Sequence, residues 1–96
     1  MIGQKFVKIK INKIEEDIFN VEVIDRRTSF HKVTITDKVH KDLTGGFISK
    51  IQLLEKSFEF LLDREPNTSI LTNFEIQVIS NYFSDYKKYI LTWSKA

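Results

Sequence analysis

Cysteine is absent from these 96 residues, and that absence excludes a disulfide framework, a thiol nucleophile, an iron–sulfur cluster and a zinc–thiolate site. Histidine occurs only at His31 and His40, so metal or acid–base chemistry would have to recruit carboxylates. Neither a Gly-x-x-x-x-Gly-Lys nor a Gly-x-Gly-x-x-Gly phosphate loop is present, and no serine sits in a Gly-x-Ser-x-Gly elbow. The chain also lacks a run of about 18 uncharged apolar residues and a basic start followed by an apolar stretch, so neither a membrane span nor a signal peptide is expected. A cytoplasmic location fits both absences. No sign of charge predominates: fifteen Lys and Arg stand against thirteen Asp and Glu, a net +2, too small an excess to signal nucleic-acid binding by itself. Alanine appears once against thirteen Ile and twelve Lys, the usage of an AT-rich prokaryotic genome.

What is present is core material. The hydrophobic fraction is 42%, with eight Phe, three Tyr and one Trp, enough for one folded domain over residues 1–96 and too much for a disordered chain. Residues 1–36 read as a β-meander. From Gln4 to Ile14, Val7, Ile9 and Ile11 alternate with Lys8, Lys10 and Asn12, the period of a half-buried strand. Glu15, Glu16 and Asp17 form a polar turn, after which Phe19, Val21 and Val23 make a second strand, antiparallel to the first. A third follows with Val33 and Ile35 facing inward; Phe30 and Ile24 fall on the outward parity.

Residues 37–96 read as helical. Asp37 is expected to cap a short helix ending at Gly45-Gly46. Ser49 with Gln52 is a capping-box pair, and Ile51, Leu54, Phe58, Leu61 and Leu62 recur at helical spacing up to about Glu65, where Pro66 prevents continuation. Two shorter helices are expected over Glu75 to Phe83 and Tyr86 to Ser94. The fold class is therefore α+β: a three-stranded antiparallel sheet, then one long and two shorter helices packed on one of its faces. Phe60 lies about 200° around the long helix from Phe58, so a helix buried on one side leaves it uncovered; the following segment from Ile70 to Phe74 is expected to fold over it. Arg64 is the candidate for a buried ion pair.

Four sets of residues are candidates for function. Tyr82, Tyr86, Tyr89 and Trp93 fall on one side of a helix if residues 82–94 are continuous, and Tyr and Trp are enriched at interface cores; core packing is the competing explanation. Lys8, Lys10 and Lys32 share the outward parity of the sheet with Phe30, the combination that sheet-face binders use to hold single strands, although Glu22 lies on that parity too. Asp37, His40 and Asp42 surround one short helix, where a cap and solvated side chains account for them without a metal. Gly45-Gly46 before a helix start is read as a helix stop rather than an anion site.

The stretches Val33-Thr34-Ile35-Thr36-Asp37, Leu43-Thr44-Gly45-Gly46, Lys56-Ser57-Phe58-Glu59-Phe60-Leu61-Leu62-Asp63-Arg64-Glu65-Pro66, Ser69-Ile70-Leu71 and Ile79-Ser80-Asn81-Tyr82-Phe83, with Phe74 and Tyr86, resemble a family of small uncharacterised prokaryotic single-domain proteins. The resemblance implies a free-standing domain with a helix, a proline stop and an aromatic tail; it implies no activity. The function expected from these residues is a non-enzymatic protein-interaction or self-association module acting through the aromatic carboxy-terminal helices, with a protein partner or a second copy in a homodimer. The alternative is a nucleic-acid binder using the lysine stripe. No catalytic residue, metal, cofactor or membrane contact is expected.

Overall fold

The computed structural model describes residues 7–95. Three strands, β1 (Lys8–Lys13), β2 (Ile18–Ile24) and β3 (Thr28–Thr34), form the expected antiparallel meander, with Ile11 opposite Val21 and Val21 opposite His31. The part of the first predicted strand at residues 4–6 lies outside the described residues. Alternation decides which face is covered: Phe19, Val21, Val23 and Val33 are buried, whereas Lys8, Lys10, Phe30 and Lys32 are exposed on the other face. The sheet is larger than expected. A fourth strand, β4 (Asn73–Glu75), runs parallel to β3 with Phe74 opposite Val33, so the sheet is mixed and the region expected to be wholly helical contributes to it.

Helix α1 (Asp37–Thr44) is capped by Thr36 rather than Asp37: the Thr36 hydroxyl accepts the Val39 N–H. Asp37 is free to turn its carboxylate to Lys50 at 2.7 Å, and Lys50 also holds Asp17 of the β1–β2 turn at 2.9 Å. Gly45 ends α1 at φ 68°, a left-handed conformation that glycine adopts without steric cost. Helix α2 (Lys50–Leu62) opens on the predicted capping box, with Ser49 and Gln52 each accepting the other's backbone N–H, and stops three residues before Glu65.

Beyond Pro66 the expected helix over 75–83 is replaced by shorter pieces. A 3-10 turn (Asn67–Ser69), β4, a second 3-10 turn (Ile76–Val78), helix α3 (Ile79–Tyr82) and helix α4 (Tyr86–Lys95) follow one another. Phe74 sets the change, because seating it beside Val33 requires extended backbone through Glu75. Phe83 is extended too (φ −132°, ψ 101°), which separates α3 from α4 and removes the continuous helix over 82–94.

Helix α2 is buried on two sides. Phe58 meets His31 and Phe74 beneath the sheet, while Phe60, fully buried, is enclosed by Phe83, Tyr86 and Tyr89 with ring centroids 4.9–5.8 Å away. The cover over Phe60 is thus α4 and the turn before it, not the segment from Ile70 to Phe74. Arg64 completes it: its guanidinium carbon stands 3.5 Å from the Phe60 ring centroid, one nitrogen donates to the Phe60 carbonyl and another to Asp85 at 3.1 Å. With 32% of the Arg64 side chain and 62% of that of Asp85 exposed, the pair is not the buried anchor expected, and cation–π packing shares its role.

Tyr86 is the deepest aromatic residue of α4, and its hydroxyl lies 2.6 Å from Ser57 Oγ across the α2–α4 contact. Burial pushes its phenol far above the ordinary range. Tyr86→Phe removes this hydrogen bond while keeping the ring, and a loss of about 1–2 kcal/mol in urea-unfolding free energy is expected. An unchanged midpoint would show that the bond contributes nothing net.

Candidate functional site

Chain reversal after α2 builds a groove. Leu61, Ile70, Phe74 and Ile79 form its apolar floor, and Leu71 and Tyr82 stand on its two sides at 45% and 67% exposure, for a volume of about 140 Å³. Glu65 is the charged residue on its wall, and no cation pairs with it among the described residues.

A relay of polar groups fixes the Leu71 side. The Asn67 amide donates to Ser29 Oγ and to the Arg27 carbonyl, both at 2.9 Å. His31 lies 2.7 Å from Ser29 Oγ through Nε2 and 2.7 Å from the Leu71 carbonyl through Nδ1. A carbonyl only accepts, so Nδ1 carries the proton, Nε2 is the acceptor, and the Ser29 hydroxyl donates to it. Each donor in the series from Asn67 to Leu71 is therefore used, and no buried side-chain polar atom is left unsatisfied among the described residues. Burial lowers the His31 pKa, partly offset by the bond to Leu71.

Nucleophile, base and orienting carbonyl in that order form a hydrolytic arrangement in outline. Its surroundings are those of a structural anchor. The His31 ring is 1% exposed and tilted against Phe58 at 5.3 Å, and neither Ser29 nor His31 lines the groove.

The aromatic residues singled out in the sequence are dispersed. Tyr86 belongs to the core, which removes it from any partner surface. Tyr89 and Trp93 are half-buried, with Lys56 Nζ of α2 at 5.6 and 5.4 Å from their rings, and Tyr89 also covers Phe60. Tyr82, thrown out of line by the break at Phe83, alone of the four reaches the groove. Leu71, expected only as part of a short helical turn with Ile70 and Phe74, stands instead in irregular backbone; the signal for its exposure was the adjacent pair Ile70-Leu71, of which only one member faces the core.

On the uncovered sheet face the lysines do not form a continuous stripe. Lys10, Glu22 and Phe30 share one cross-strand row, so a carboxylate separates Lys10 from the 56%-exposed Phe30, and Lys32 lies in the next row with Asn12 and Asn20. Asp37, His40 and Asp42 take separate partners: Lys50, the Ile48 carbonyl and Lys38. Among the described residues no three His, Asp or Glu side chains converge on a metal-sized space, and no helix is long and apolar enough to cross a membrane. No family model, curated protein or solved structure matches the chain.

Protonation of His31 sets the expected pH response. Because its folded pKa lies below the unfolded value of about 6.5, its stabilisation is complete above that pH and is lost as pH falls toward the folded value. Unfolding free energy measured from pH 7 to 5 is expected to drop by up to about 1.4 kcal/mol per pH unit. His31→Gln is expected to flatten the slope in that window; the same slope in the variant would assign it to other groups.

Proposed function

We propose that this chain is a small non-enzymatic protein-interaction module that receives an apolar side chain of a protein segment in the groove between Leu71 and Tyr82. The observation that carries the reading is the pairing of an apolar floor with two exposed apolar sides: such residues flanking one concavity are the anatomy of an interface anchor site. Size favours a side chain over a cofactor. About 140 Å³ is below the roughly 300–1,000 Å³ of small-molecule sites and close to the ~150 Å³ that holds a benzene ring. Glu65 adds a preference for a basic neighbour in the bound segment. The reading includes a prokaryotic cytoplasmic setting, the resemblance on the α2–Pro66 segment, and action without metal or cofactor.

A second reading, nucleic-acid binding on the uncovered sheet face, is favoured by the exposure of Phe30 beside Lys32 and opposed by Glu22, which lies between Lys10 and Phe30 in their row. Salt-dependent binding of single-stranded oligonucleotides, lost in Lys8→Glu/Lys10→Glu, would support it.

A random-peptide library displayed on phage and selected on the immobilised protein tests the main reading. Enrichment is expected for peptides with an aromatic or large aliphatic residue next to Lys or Arg, with at least tenfold weaker binding to Leu71→Glu. No enrichment, or binding insensitive to that substitution, would overturn it.

A further inference from the structure

The groove has a counterpart on the same molecule. Phe47 is 64% exposed at the tip of the α1–α2 loop, where apolar residues are normally avoided. Its ring lies close over the Gly45 backbone: an added Cβ there would stand 2.9 Å from Phe47 Cε2. A phenyl ring has only two side-chain torsions to fix when it docks, so the freedom lost is small.

Position prevents Phe47 from entering the groove of its own chain. It precedes the amino terminus of α2, whereas Leu61 and Glu65 of the groove lie at the carboxy-terminal end, and the thirteen-residue helix between them is about 20 Å long. Ring and groove are thus presented at opposite ends of one rod. Their charges are complementary as well. Lys41, one helical turn before Gly45, has no side-chain partner among the described residues, and Glu65 on the groove wall has none.

We infer that the groove receives Phe47 of a second copy of this chain, so that copies join head to tail, with Lys41 of one beside Glu65 of the next. The inference rests on the proposed role of the groove and names its occupant. The phenyl ring matches a site of about 140 Å³, close to the ~150 Å³ cavity that accepts benzene. Two different surfaces meet, so the contact is heterologous and does not end at a dimer unless the rotation closes a ring. An anchor of one side chain places it among weak, transient interfaces.

Sedimentation velocity over a concentration series into the millimolar range tests this. The wild type is expected to show a weight-average mass that keeps rising past the dimer. Phe47→Ser and Leu71→Glu, both at exposed side chains, are each expected to stay monomeric with unchanged thermal midpoints. Their equimolar mixture should form a dimer and nothing larger, because one ring and one groove remain. Tyr82→Asp replaces Leu71→Glu if that variant fails to fold. A wild type that stays monomeric throughout, or a mixture that stays monomeric while the wild type associates, overturns the inference. Peptide selection on the same protein separates the two failures: enriched peptides sensitive to Leu71→Glu leave the groove as a docking site for another protein, and their absence overturns both.

Discussion

Phe60 constrains the rest of the structure. It sits about 200° around α2 from Phe58, and both rings are fully buried, so solvent is left only the stripe of Gln52, Glu55 and Glu59 between them. The sheet covers one side. The other must be covered by chain that has not yet appeared in the sequence, which makes a return of the carboxy-terminal segment across α2 obligatory. Phe83, Tyr86 and Tyr89 carry out that return through edge-on and tilted ring contacts on Phe60, Arg64 adds its guanidinium over the same ring, and the Tyr86–Ser57 hydrogen bond fixes the depth of α4. Eight of the twelve aromatic residues lie after residue 57. Much of that density builds a second core layer and is not a surplus offered to partners.

The legible parts of the sequence were those whose determinants are local. Alternation in the first 36 residues was sufficient for three strands and their facing, because a period of two is readable wherever one face is buried. Ser49 and Gln52 marked the start of α2 since both capping partners lie within one turn. Legibility failed where distant chain decided. Asn73-Phe74-Glu75 is too short for periodicity, and only the neighbouring Val33 makes it a strand. Tyr82, Tyr86, Tyr89 and Trp93 share helical spacing, but the extended Phe83 puts Tyr82 on the groove and Tyr86 in the core. Asp37 was the expected cap, yet Lys50, thirteen positions away, draws off its carboxylate and leaves the position to Thr36.

His31 shows how a polar residue on an inward parity is reconciled with a core. Val33 in the same strand and Ile35 just beyond its end are buried on this parity, so the ring has to be buried with them, and both nitrogens need partners. Ser29, two residues earlier on the same face, supplies one, and the Leu71 carbonyl supplies the other. The second partner ties the edge of the groove to the centre of the sheet. The conformation of the Leu71 segment is therefore a property of β3 as much as of its own residues.

The pairing of β4 with β3 bears on the order of assembly. The meander and the two ends of α2 close through contacts near in sequence, whereas Lys32 meets Asn73, and His31 meets Leu71, only after some forty intervening residues have been brought into place. Closure over that separation carries the larger entropic cost, and such contacts form slowly. The same contacts, few and near the end of the sheet, are the natural first opening of the native state. Amide hydrogens of residues 67–75 thus belong to a smaller cooperative unit than those of β2 and α2, and the groove is present only while that unit is closed.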